Sequence, residues 1–381
     1  MFSAPKYEVN LYLKGRLVGD VRPLAEGLKW ARRRTMVGVD SIDFTLNDQL
    51  FHKWAKERGY SIKDLLKPYA LECRLVRDGV GLVGGFLATM PSYSPLNASA
   101  SLDMAFDGYL NLLDGVIIRN QSNNLPRGTV SGKAGTLIKN QIDFANTMSG
   151  NAGANYGLTA KTIDDMASIT ETFDNYKTVK AWICERADNS TGAGKFDVYF
   201  YPDKSYDIKK DANFGQKITD WTAEYPMKNG GASATSISAS EVGGFASAVF
   251  GLGSGEVSPD AKKNTAIRNF NSNRTKASEF GYVETLYQDS SITKQATLNN
   301  NVSSTLKNLS NFMWSPEITL HGRQVAPKPD GEKKIWIGDT ITVKNSQDLT
   351  GLMDGQFRVM ELDVDVSPAG DETIKPKLER V

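Results

Sequence analysis

Apolar side chains fall at even spacings along the end of the chain: Ile335, Ile337, Ile341 and Val343, then Leu362, Val364 and Val366. Each run therefore offers one apolar and one wet face, the pattern of half-buried antiparallel strands. A polar turn joins the first run to Gly355-Gln356-Phe357-Arg358-Val359, and a closing hairpin finishes at Lys377-Leu378-Glu379-Arg380-Val381. The pattern predicts barrel strands and supplies no catalytic side chains.

The first hundred residues repeat it. Tyr7, Val9, Leu11 and Leu13 alternate, Lys14-Gly15-Arg16 turns, and Leu17-Val18 starts a return strand, so 7–21 reads as a hairpin. Ile42, Phe44 and Leu46 mark a third strand. Asp48 is the expected N-cap of a helix over 49–58 with Leu50, Phe51 and Trp54 on its apolar face, stopped by Gly59. A short amphipathic piece, Ile62 to Leu66, ends before Pro68. A second hairpin runs from Leu71 to Arg77, through Asp78-Gly79, to 82–89, and Gly84-Gly85 predicts a bulge or a close backbone approach.

Farther on, 107–178 reads as helix and loop, with one helix over 134–149 set by Leu137, Ile138, Ile142, Ala145 and Met148. Val179, Ala181 and Ile183 alternate, as do Phe196, Val198 and Phe200, predicting a strand pair joined by 188–195. Gly, Ala and Ser dominate 229–260, yet Val242, Phe245, Val249, Phe250 and Leu252 lie among them. That mixture suits an inserted interface loop better than a free linker. Leu298, Val302, Leu306 and Leu309 then stripe one face of a helix over 292–312, and Pro316 begins a strand, Glu317 to Leu320.

At 381 residues the chain exceeds one ordinary core. The divisions expected are 1–106, a first barrel with short helices; 107–178, a helix and loop insertion; 179–290, a second strand-rich region carrying the interface loop 229–260; and 291–381, a helix plus closing barrel strands. Lys and Arg total 45 against 44 Asp and Glu, so any DNA contact is expected to be transient, because tight binding neutralises many phosphates. No signal-peptide pattern opens the sequence and no apolar run approaches the roughly 20 residues of a bilayer-crossing helix, so synthesis in a cytoplasm without membrane insertion is expected.

Candidate chemistry is sparse. Cys73 and Cys184 are too few for a disulfide framework or structural zinc site, and Cys73 shares the inward phase of Leu71 and Leu75. His52 and His321 read as ordinary surface or satisfied histidines. Gly128-Thr129-Val130-Ser131-Gly132-Lys133-Ala134 resembles a phosphate loop but lacks one residue between the glycines and the hydroxyl after the lysine, leaving a flexible helix-entry turn. Asp164-Asp165 and Asp363 with Asp365 are the carboxylate pairs a glycan hydrolase would need, but loop-like sequence and a polar strand face predict solvated acids. Arg32-Arg33-Arg34 reads as a solvated face or subunit contact. The sequons at Asn97, Asn189 and Asn308 matter only in a secretory pathway. No catalytic, cofactor-binding or metal-ligating set is assigned, and a non-enzymatic protein is expected.

Taken in order, several segments resemble the hub, or tail-tip, proteins of tailed bacteriophages and related injection machines. They are the hairpin from Val9 to Val21, the phrase Gly38-Val39-Asp40-Ser41-Ile42-Asp43-Phe44-Thr45-Leu46, and Phe106-Asp107-Gly108-Tyr109-Leu110 before the helix with Leu137 and Ile138. The finish is similar too: a helix, a strand ending Leu320-His321-Gly322, then Ile337-Gly338-Asp339-Thr340-Ile341-Thr342-Val343 and Gly355 to Val359. The resemblance implies a β-rich α+β fold with two tail-tube-like β-barrel domains and helical and loop insertions. It implies a homotrimer whose six barrels adapt a hexameric tail tube or distal tail protein to a threefold central fibre or spike, beside a tape-measure protein and around a DNA channel. Its location would be the virion tail, assembled in the host cytoplasm. Two other classes stay open on the residues alone: a carboxylate-based cell-wall glycan hydrolase, and a carbohydrate-binding virion protein using some of the 14 Tyr and 6 Trp.

Overall fold

The computed structural model describes residues 5–94, 100–173, 175–189, 195–226, 232–241, 245–259, 263–290, 292–310, 314–346 and 354–381. The chain divides into two compact units. The first comprises 1–238 and 317–379 with 381; the second comprises 239–316 with 380.

The first unit opens with the expected hairpin, β1 (Tyr7–Leu13) and β2 (Arg16–Asp20). Lys14 and Gly15 both take positive φ, 50° and 80°, as a tight two-residue hairpin turn requires. β3 (Ala25–Arg33) pairs with β4 (Ser41–Asn47), which places Leu28 opposite Phe44 and Trp30 opposite Ile42 in the core. The helix α1 (Asp48–Glu57) starts one residue earlier than expected: Asn47, not Asp48, is the cap and accepts from Leu50 N at 3.1 Å. Its buried face is Phe51, Trp54 and Ala55, while Leu50 is 51% exposed, because 50 lies a full helical step off the 51/54/55 stripe. α2 (Ile62–Leu65) follows, then β5 (Leu71–Arg77) and β6 (Val80–Leu87) around Asp78-Gly79, again with both φ positive. After β7 (Ser92–Ser94), β8 (Ser101–Gly108) pairs with β4, β6 and β7. The double glycine is explained here. A Cβ on Gly85 would stand 2.5 Å from Asp107 O, and one on Gly84 2.7 Å from Pro202 Cα.

Residues 107–178 contain more strand than the sequence predicted. β9 (Gly128–Lys133) leads into α3 (Ala134–Asn151), followed by β10 (Thr159–Ile163) and β11 (Ser168–Phe173). β9 is therefore a paired strand rather than a flexible turn, and hydroxyl pairs Thr129–Thr172 and Ser131–Thr170 at 3.1 and 2.9 Å line it up with β11. The strand expected at Val179 is the helix α4 (Val179–Asn189). Thr178 Oγ1 accepts from Ala181 N at 3.1 Å as its cap. Val179, Trp182, Ile183 and Ala187 are buried at helical spacing, whereas Ala181, on the supposed inward phase, is exposed. β12 (Phe196–Phe200) is a strand as expected, but its partner is β13 (Ser205–Lys210), which also pairs with β10. Tyr109, Leu113, Ile138, Ile142, Trp182 and Tyr206 share a core of their own.

β14 (Ala223–Tyr225), β15 (Ala232–Ser233) and β16 (Ser236–Glu241) come next, followed by β17 (Ala248–Leu252). About half of the described part of 229–260 is thus strand where loop was expected; Val242 lies outside the described residues. In the second unit β17 is flanked by β18 (Arg268–Ser272) and β19 (Glu284–Gln288), with α5 (Arg274–Phe280) between them in sequence. The striped helix is α6 (Gln295–Leu309), whose Leu298, Val302 and Leu306 cluster with Val249 and Ile292. Gly251 makes that contact possible, since a Cβ there would sit 2.2 Å from Val302 Cγ2.

The chain returns through β20 (Trp314–His321), β21 (Ala326–Pro327), β22 (Lys334–Ile335), β23 (Thr340–Asn345), β24 (Gly355–Val366) and β25 (Glu372–Arg380). Ile335 to Val343 is not one strand: it breaks at Gly338, whose φ is +83°, before resuming as β23. All four predicted apolar positions are nevertheless buried. β24 is the weld of the unit. It pairs with β3, Leu362 opposite Arg32, Val364 opposite Trp30 and Val366 opposite Leu28. One 15-stranded sheet thereby runs from β15, β14, β23 and β24 into β3, β4, β8, β6, β5, β1 and β2. The fold is β-rich α+β.

Candidate functional site

The densest concentration of chemistry lies where β3 ends. Sequence reasoning placed Arg32-Arg33-Arg34 on a wet face, but Arg32 and Arg34 are 1% and 3% exposed. The reason is a set of acids brought from far along the chain. Arg32 pairs with Asp40, donates to Phe200 O, and lays its guanidinium 3.9 Å from the centre of the Tyr199 ring. Arg33 pairs with Glu361 and, at 3.3 Å, with Asp363 on β24, and donates to Val39 O at 2.7 Å. Arg34 reaches Asp197 on β12, with Nε at 3.0 Å from Oδ2, and also Asp211.

Further bonds fix the acids. Thr35 N donates to Asp197 Oδ1 at 3.1 Å, while the Thr35 hydroxyl donates to Val198 O and accepts from Val198 N. Arg358 of β24 donates to Asp211 Oδ2 at 2.6 Å and to the carbonyls of Asp211 and Phe214 at 2.7 and 2.6 Å. Lys377 Nζ lies 2.7 Å from Glu361. Burial opposes the charge on Arg34, but Asp197 and Asp211 outweigh it and raise its pKa above the ordinary guanidinium value. Burial likewise works against ionised Asp211, yet Arg34 and Arg358 hold its carboxyl below the usual range. The cluster joins β3, β24, β12 and the turn at 211–214 into one locked junction. With their forks consumed by these acids, the arginines are not presented to nucleic acid phosphate.

The carboxylates considered for hydrolysis are placed elsewhere. Asp164 accepts from Lys210 N at 2.8 Å and Asn213 Nδ2 at 2.7 Å, a structural cap. Asp165 is exposed, and its hydrogen bond from Lys133 holds it below the usual carboxylate range, the reverse of what a general acid needs. Asp363 is less solvated than its strand position predicted: burial, then Glu361, pushes it up. Asp365 pairs with Lys375 at 3.2 Å. His52 Nδ1 sits 3.2 Å from Asp48 on the exposed side of α1, and His321 closes β20 opposite Thr373. Cys73 is fully buried and burial pushes its thiol up; half-buried Cys184 is pushed up the same way. Among the described residues no group of His, Cys, Asp and Glu could hold a metal ion, and no helix is long and apolar enough to cross a membrane. Asn97 and the side chains of Asn189 and Asn308 fall outside the described residues.

No protein-family model and no curated protein sequence matches the chain. Solved structures do. The 43 kDa tail protein of prophage MuSo2 from Shewanella oneidensis is similar over 98% of both chains, with a TM-score of 0.65 at 11% identity. A tail protein from Neisseria meningitidis MC58 is similar over 98% of this chain and 96% of its own, at 0.60 and 12%. Prophage tail protein gp18 of Listeria monocytogenes EGD-e gives 0.55 and 10%, over 97% and 94%. The fold of this chain is that of phage tail proteins.

Proposed function

We propose that the chain is a structural hub at the distal end of a phage tail or phage-like injection machine. The observation that carries the reading is the end-to-end likeness to a prophage tail protein, 98% of each chain at a TM-score of 0.65. Two strand-rich halves welded at β24–β3 give each copy the material for two tube-like barrels. Three copies would then present six barrels to a hexameric tail tube or distal tail protein, and three equivalent surfaces to a central fibre or spike. Such a ring needs a heterologous interface that closes after three steps. Among the described residues β2 and β15 end the sheet path, and their edges are ones a neighbouring copy can extend. The near-neutral net charge of the chain suits a channel through which DNA and a tape-measure protein pass without sticking. The role is non-enzymatic.

Light scattering on the purified chain, alone and mixed with its tail-tube protein, tests this. A species of three chains with threefold rings in electron micrographs supports it. A monomer under both conditions, or release of sugars from cell wall by the purified chain, refutes it.

A further inference from the structure

Between β12 and the 336–339 turn lies a pocket of 210 Å³ that the hub role does not use. Four of its lining residues are aromatic: the half-buried Tyr199 and Tyr201, and the buried Phe214 and Trp336. They brace one another, with Tyr199 meeting Tyr201 edge-on at 4.7 Å and Trp336 Nε1 donating to Tyr199 Oη at 3.2 Å. Two glycines let the lining segments close: a Cβ on Gly215 would fall 1.9 Å from Gly338 O, and one on Gly338 2.4 Å from the Phe214 ring. The polar groups are of both signs. The buried Asp339 carboxylate accepts from Gln216 N and Trp336 N at 2.9 and 3.0 Å, with the buried Lys334 ammonium 3.6 Å away. Lys209, half-buried, adds a second ammonium 3.1 Å from Asp207.

This inventory narrows the ligand. The volume is below the roughly 300–1,000 Å³ of pockets for drug-sized molecules, so it admits one ring and not a chain. A cation would meet Lys334 and Lys209, and an anion would meet Asp339. A wholly apolar guest would strip water from the half-buried Lys209 ammonium without replacing it. What fits is a neutral ring with C–H faces for the aromatic walls and hydroxyls able both to donate and to accept. We propose that the pocket binds a single neutral sugar residue, a hexose or N-acetylhexosamine. This site is independent of the trimer, so either can fail while the other stands.

The test is titration of the full chain with glucose, galactose and N-acetylglucosamine, each to about 50 mM, read by saturation transfer to the sugar protons and by tryptophan emission. At least one sugar is expected to bind with a dissociation constant of about 1–10 mM. Lys209→Ala and Gln216→Ala, at the rim, are each expected to weaken it about tenfold, the loss of one hydrogen bond. Tyr201→Ala is expected to abolish transfer in a chain whose circular dichroism is unchanged, and Lys53→Ala on α1 to leave it intact. Absence of transfer from all three sugars overturns the proposal. So does transfer that persists undiminished in the Lys209 and Gln216 variants.

Discussion

Arg77 and Glu372, 295 residues apart in sequence, meet through two hydrogen bonds of 2.6 and 2.9 Å with both side chains buried. Tyr7 donates its hydroxyl to the same carboxylate. Arg77 lies on β5, Tyr7 on β1 and Glu372 on β25, so this knot ties the far end of the sheet path back to the strand beside β24. Removing one member strands a buried charge, which costs about 3–5 kcal/mol, whereas replacing both with apolar groups of similar size does not. Urea unfolding is expected to show that loss for Arg77→Met and for Glu372→Met. The double variant should lose less than the sum of the two; strict additivity would mean the residues act independently.

Buried phenols are expected to set the alkaline limit of stability. Burial, then the Glu372 charge, raises Tyr7 well above its ordinary pKa, and burial followed by Glu72 does the same for Tyr109. The unfolded chain releases these protons near pH 10 while the folded one keeps them. Their contribution is therefore fully present below pH 10 and is lost as pH rises toward the folded values. The urea midpoint should hold from neutrality to about pH 9 and fall beyond about pH 10, with a shallower fall in Tyr7→Phe.

At the arginine junction, charge alone does not suffice. Arg34 uses a planar fork to hold two carboxylates at once, a geometry that an ammonium group cannot reproduce. Arg34→Lys is expected to cost at least about 2 kcal/mol, and Asp197→Ala about 3–5 kcal/mol, in the same urea measurement. A loss below about 0.5 kcal/mol in either would mean the junction is not a lock.

This junction also shows where sequence reading stops. Strand periodicity located β1, β4, β5, β12 and β24 and the buried positions Ile341, Val343, Leu362, Val364 and Val366, because period two is a local property. Three consecutive arginines carry no such local signal. The burial of Arg34 depends on Asp197 and Asp211, 163 and 177 residues beyond it. Only Asp40, eight residues from Arg32, stood close enough to hint at a partner. Val179, Ala181 and Ile183 misled for a related reason: three apolar residues two apart suit a strand, and only Trp182 and Ala187, read with them, complete a helical face. The glycines of 229–260 masked β17, where Gly251 is a packing position against Val302 rather than a mark of loop.

Gly215 offers a clean backbone test. Its φ is +82° and Gly338 O occupies the place of a Cβ. Gly215→Ala combines left-handed strain with a clash against main chain and is expected to lower stability by at least about 2 kcal/mol. Calorimetry showing an unchanged midpoint would contradict the close approach of these two loops.

The role at the tail's end is tested most directly by immunogold electron microscopy of intact particles with an antibody raised against this chain. Gold is expected at the tip of the tail, at the end away from the head. Labelling along the tail shaft, on the head, or on no particle at all would contradict the hub assignment.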